Sequence, residues 1–220
     1  AAGAFVLSVK GNVVLNNNIT GTGRMALIAG AAAHTVSGTG TFTNLELNDG
    51  NCASLASNAR ITGTLTFTSG KINTGTFNLT MGTSGTSAGT IVSANASNHL
   101  IGILRRYIPN GTGTSVSFPI GDNNGYSPVN ITLSGSSLSG SGYLEITTNA
   151  AQPTAESGIN QSKYVNRKWT ITNAGVAGFT SYSGVFNYTA ADLVGVPNTS
   201  AIVLRRLTGG VWYFVTSSGQ

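Results

Sequence analysis

Polar and apolar residues alternate in Thr64-Leu65-Thr66-Phe67-Thr68 and in Thr76-Phe77-Asn78-Leu79-Thr80-Met81. A strand sends successive side chains to opposite faces, so each segment predicts a strand with one face inside and one in water. A helical period is nearly absent, because Gly, Thr, Ser and Asn interrupt almost every window long enough to hold one. The exception is Thr189-Ala190-Ala191-Asp192-Leu193-Val194, where a single helical turn is expected.

The first half carries an internal repeat. Ile19-Thr20-Gly21-Thr22, Val36-Ser37-Gly38-Thr39 and Ile61-Thr62-Gly63-Thr64 are one four-residue phrase, echoed in Ile72-Asn73-Thr74-Gly75-Thr76. Leu27, Leu47 and Phe67 fall twenty residues apart. Such periods predict coils of a parallel β-solenoid, with short strands pointing apolar residues inward and Gly and Asn at the corners. One coil cannot bury its apolar face alone, so its neighbours must stack on it. The spacings of 17 and 25 between phrases imply uneven coils, and a meandering sandwich is the alternative.

Beyond residue 100 the strands lengthen and aromatic residues appear, among them Tyr107, Phe118, Tyr143, Trp169, Tyr182, Trp212 and Phe214. Turn clusters separate them, and this spacing predicts a β-sandwich. Leu207-Thr208-Gly209-Gly210 reads as a hairpin turn joining residues 202–207 to 211–216. The expectation is therefore an all-β chain: a β-solenoid-like region over 1–97 and a β-sandwich-like domain over 98–220. Trp169 and Trp212 are expected to be core residues. With Trp212 inward, Val211, Tyr213 and Val215 form an outward patch.

Composition narrows the function. Charged residues make up 8% of the chain, against about 25% in an average soluble domain, so hydroxyls and amides must keep the surface wet. The formal charge of +5 comes from 11 basic and 6 acidic residues. That is a thin field rather than a nucleic-acid-binding face. No apolar run is long enough to span a membrane. No signal peptide is visible, which suggests a processed chain or one cut from a larger protein. Cys52 is the single cysteine and reads as a small buried apolar residue.

Three stretches resemble the repeats of large cell-surface and secreted proteins of the Bacteroidetes. They are VSGTGTFTNLELNDGNCASLASNARITGTLTFTSGKINTGTFNLTMG at 36–82, FPIGDNNGYSPVNITL at 118–133, and VNRKWTITNAG with the following strands over 165–215. The resemblance implies export across both membranes by type IX secretion and a role as stalk, adhesin or enzyme-appended module. The sorting domain of that family is not visible at the C-terminus, which suggests a fragment or processed chain.

The chain nominates no catalytic set. Its acids are Glu46, Asp49, Asp122, Glu145, Glu156 and Asp192, and only Glu46 and Asp49 lie close in sequence. Polysaccharide lyases on β-helices need clustered acids, and residues 1–100 hold only two. His34 and His99 lie far apart and read as solvent-facing turn histidines, so no metal or cofactor is expected. Asp122-Asn123-Asn124-Gly125 reads as an Asx turn rather than a calcium loop. In Arg105-Arg106 and Arg205-Arg206, period two sends neighbours to opposite faces, so one arginine of each pair shares an apolar face. Buried, it requires a partner, and an ion pair with Asp122, Glu145 or Asp192 is the preferred reading over recognition of an anion or acidic glycan. Threonine rows at 39–43 and 64–68 suggest ice binding only if every coil repeats them. The reading is a non-catalytic structural or adhesive module of a bacterial surface protein, with neighbouring modules or subunits as partners. A carbohydrate-binding module of an exported enzyme is the alternative. In both, the surface to watch comprises Val211, Tyr213, Val215, Arg105, Arg106, Arg205 and Arg206, with extracellular glycans as candidate ligands and neither nucleic acid nor membrane insertion expected.

Overall fold

The computed structural model describes residues 5–139, 142–195 and 198–216. The chain is all-β and begins as a parallel β-solenoid of about six turns. The first coil carries β1 (Val6–Val9) and β2 (Val13–Val14). The second carries β3 (Arg24–Ile28), β4 (His34–Ser37) and β5 (Thr41–Phe42), and the third β6 (Leu45–Asn48), β7 (Ala53–Leu55) and β8 (Ala59–Ile61). In the fourth, β9 (Thr64–Ser69) is followed by β10 (Ile72–Met81), which bends through a corner and serves two faces. The fifth holds β11 (Thr90–Val92) and β12 (Leu100–Tyr107).

Register explains the twenty-residue period. Val9, Leu27, Leu47 and Phe67 are successive partners in one parallel ladder, as are Leu7, Met25, Leu45, Leu65 and Ile91 in the next inward row. A second face stacks His34, Ala53, Ile72, Leu100 and Ile120; a third stacks Phe42, Ile61, Met81 and Arg106. The four-residue phrase marks corners rather than the period. Val36 lies on the second face, in register with Val13 and Leu55, whereas Ile61 lies on the third, between Phe42 and Met81. One phrase thus serves two different corners, which is why its spacings are uneven. Gly38 has φ +104°, and a Cβ there would fall 2.1 Å from the Leu15 carbonyl oxygen of the coil before. Only glycine fits that bend.

Asparagine side chains stitch the coils together. Asn12, Asn18 and Asn44 accept the backbone N–H of Thr35, Thr41 and Thr64, one coil later, at 2.8, 3.1 and 2.9 Å. Asn58 does the same for Asn78 at 3.1 Å. Corners leave backbone donors without strand partners, and these carboxamides satisfy them.

The second half grows out of the solenoid. It adds β13 (Gly111–Phe118), β14 (Ile120–Asp122), β15 (Gly125–Tyr126), β16 (Val129–Leu138), β17 (Tyr143–Asn149), β18 (Tyr164–Val165), β19 (Lys168–Ala174), β20 (Ser181–Phe186), β21 (Leu193–Val194), β22 (Arg205–Thr208) and β23 (Val211–Phe214). Parallel pairing persists to β14. β17 and β19 then extend the third face antiparallel, while β13, β16 and β20 form a separate antiparallel sheet. Phe118, Val129, Ile131 and Leu144 belong to the same buried cluster as Leu47 and Phe67. The second half therefore shares the solenoid's core. The expected helical turn is a single 3-10 turn at Ala190–Asp192, with Thr189 and Asp192 forming a capping box.

Candidate functional site

The expected surface residues divide among three environments. Arg105 points outward from β12 and pairs with Glu145 at 2.5 Å. Its guanidinium lies 5.2 Å from the Tyr143 ring, and Tyr143 meets Tyr107 edge-on at 5.6 Å. Arg106 points inward, in register with Met81 and Leu144, as the period-two argument requires. Among the described residues it finds no carboxylate there. It donates instead to the carbonyls of Ser117 at 2.6 Å and Gly89 at 3.2 Å. Burial penalises its charge and brings its pKa down to about 10.

The third environment is the hairpin of β22 and β23. Gly209 and Gly210 connect the strands with φ of +58° and +79°. That left-handed pair matches the twist of a two-residue hairpin. Cross-strand register pairs Arg206 with Tyr213 and Thr208 with Val211 on one face, and Arg205 with Phe214 and Leu207 with Trp212 on the other. Arg206 lies 5.3 Å from the Tyr213 ring and donates to the Tyr182 hydroxyl of β20 at 2.6 Å. Arg205 stacks on Phe214 at 3.5 Å. Val211, Tyr213 and Tyr182 are 53%, 43% and 58% exposed, and Val215 is half-buried. The hairpin thus joins Arg206, Tyr213 and Val211 on one open face and brings in Tyr182, which sequence alone did not single out.

The tryptophans differ from expectation. Trp169 is half-buried against the core, 5.3 Å from Phe186, and donates to the Ser127 carbonyl at 3.3 Å. Trp212 is half-buried in a hairpin that joins neither large sheet and lies outside the core cluster, and Phe214 beside it is 81% exposed. A two-stranded hairpin has no second layer of its own, so alternation there does not imply a buried face.

The other ionisable groups serve the fold. Both histidines are buried, not solvent-facing. His34 occupies an inward position of the second face, donates from Nδ1 to the Gly11 carbonyl at 2.7 Å, and meets Asp49 at 3.1 Å. The Asn51 amide, opposed by burial and aided by Gly30 and His34, holds the Asp49 carboxyl below its usual value. His99 packs 5.0 Å from Tyr126 with its Nδ1 on the Asn95 carbonyl. Cys52 is half-buried, with φ +75°, in the corner after Asp49. Asp122 forms the expected Asx turn, accepting from the amides of Asn124 and Gly125. It also pairs with Arg167, whose other arm holds Asp192. Burial raises the Asp122 carboxyl, but Arg167 and the Asn124 amide outweigh it and bring it below its usual value. This Asp122–Arg167–Asp192 bridge was not legible, because its members lie 45 and 25 residues apart.

The threonine segments do not align. Thr41 lies on the third face and Thr66 on the first, where its outward row reads Ala26, Glu46, Thr66 and Val92. Among the described residues no group of three or more His, Cys, Asp or Glu is placed to hold a metal ion. No family model, curated protein or solved structure matches the chain.

Proposed function

We propose that this chain is a non-catalytic structural or adhesive module of a secreted bacterial cell-surface protein. The observation that carries the reading is the use made of its carboxylates. Five of the six acids are engaged in pairs that hold the fold: Glu46 with Arg24, Asp49 with His34, Glu145 with Arg105, and Asp122 and Asp192 with Arg167. The sixth, Glu156, sits exposed in a 3-10 turn. Glycoside chemistry requires two carboxylates free to face a substrate. The stitched coils suit a rigid spacer, and among the described residues β1 has a strand partner on one side only, with its Val6 and Leu7 and the preceding Phe5 exposed. That edge suits contact with a neighbouring module. The Bacteroidetes resemblance and a type IX export route belong to the same proposal. Fractionation of the producing cell tests it: the protein is expected at the outer surface or in the medium, and a purely cytoplasmic protein would refute it.

The hairpin face favours a second reading, a carbohydrate-binding module. Aromatic rings carrying a hydrogen-bonding group are suited to sugars, whose faces are apolar and whose edges are polar. A glycan array separates the two readings, since a pure spacer retains no glycan.

A further inference from the structure

The pairing of charges leaves an imbalance at the surface. Arg24, Arg105 and Arg167 are paired with carboxylates. Arg205 and Arg206 are not: among the described residues neither has an acid within ion-pairing distance. Arg206 instead bridges the Tyr182 hydroxyl and the Tyr213 ring. One Nη1 bond is spent on Tyr182, and among the described residues the remaining N–H donors of the planar fork have no acceptor. The adjoining rings are exposed, and Val211 extends the face. A guanidinium fork matches a planar carboxylate in two parallel hydrogen bonds. A tyrosine ring beside it offers the apolar face of a sugar a stacking surface.

We propose that Tyr182, Arg206, Tyr213 and Val211 bind a polyuronate, a polysaccharide bearing a carboxylate on each sugar, with Arg206 on the carboxylate and Tyr213 under the ring. This rests on the carbohydrate-binding reading and narrows it to acidic chains. Charge complementarity selects the ligand: a neutral glycan leaves Arg206 without a counter-ion, and a uronate supplies one.

The test is binding of the purified chain to polygalacturonate, with a soluble neutral glucan, dextran sulfate and duplex DNA in parallel. Binding to polygalacturonate is expected to weaken with salt. It should fall about tenfold or more in Arg206→Gln and in Tyr213→Ala, as loss of one charge-assisted contact predicts. Arg206→Lys keeps the charge but loses the fork, so it too should bind weakly. Lys163→Gln, an equal charge change at an exposed site, should bind as wild type. The hairpin lies outside the core, so all variants should melt with the parent. Equal weakening in Lys163→Gln, full rescue by Arg206→Lys, or tighter binding of DNA or dextran sulfate would overturn the proposal. Equal binding of the neutral glucan would overturn the acidic preference while leaving the carbohydrate reading standing. Retention of neither glycan would remove both.

Discussion

His99 shows how a single side chain can set the response of the fold to acid. Burial, with the charge of Lys71 adding, holds its imidazole below the usual value of 6.5, against opposing hydrogen bonds to Asn95 and Ala96. The unfolded chain takes up a proton near pH 6.5 that the folded chain resists. The unfolded state then binds more protons, so stability falls as pH drops below about 6.5. The melting temperature is therefore expected to decline from pH 7.5 to 5.5, above the range where carboxylates titrate. His99→Gln should flatten that decline, and an unchanged slope would refute the assignment. Arg106 makes the opposite case. Its guanidinium stands in an apolar stack beside Met81 and is held only by carbonyls. Arg106→Met removes a desolvated charge while keeping the volume, and is expected to leave stability within about 1 kcal/mol of wild type or raise it. Arg106→Ala should lower it by leaving a gap. Denaturant titration of the two variants separates charge from packing.

Each coil depends on its inward row and its corners. Leu47 is fully buried between Leu27 and Phe67, so Leu47→Ala should cost about 2–5 kcal/mol in chemical denaturation. The corner glycine is equally constrained: Gly38→Ala meets the Leu15 carbonyl in a left-handed bend and should destabilise by at least about 1 kcal/mol. Hydrogen exchange should speed first at the Leu15 and Gly40 amides, whose bonds close that corner. The hairpin is the contrasting element. Because Trp212 is half-buried outside the main core, Trp212→Ala should cost well under the roughly 3–5 kcal/mol of a buried tryptophan. A loss of that size would place the hairpin in the core after all.

Across the molecule, Arg167 joins parts that the sequence keeps apart. Its side chain lies fully buried between Asp122, at the end of β14, and Asp192, in the 3-10 turn Ala190–Asp192; Asp122 also receives the Ala150 amide at 3.0 Å. The bridge fastens the antiparallel half to the final solenoid coil. Arg167→Ala leaves two carboxylates buried without a counter-charge and should cost about 3–5 kcal/mol, since an orphaned buried charge keeps its full desolvation penalty. The loss should ease as pH falls and Asp122, no longer held low by Arg167, takes up a proton, a dependence that simple loss of packing would not show. Melting curves of the variant at pH 7 and pH 3.5 check this.

Local physics made much of this legible. Period-two alternation fixes which side of Thr64–Ser69 faces inward, and the twenty-residue spacing of Leu27, Leu47 and Phe67 requires them to stack in parallel register. The opposite faces of Arg105 and Arg106 and the turn at Gly209-Gly210 follow from the same short-range geometry. What depends on distant neighbours was not legible. A histidine in a glycine- and alanine-rich corner looks exposed until the next coil brings Asp49 against it. A tryptophan in an alternating strand looks buried until its hairpin proves to lack a second layer. Arg167 shows no role until folding brings Asp122 and Asp192 to either side of it. Alternation determines the inside and outside of a strand, but only tertiary packing decides what lies on each side.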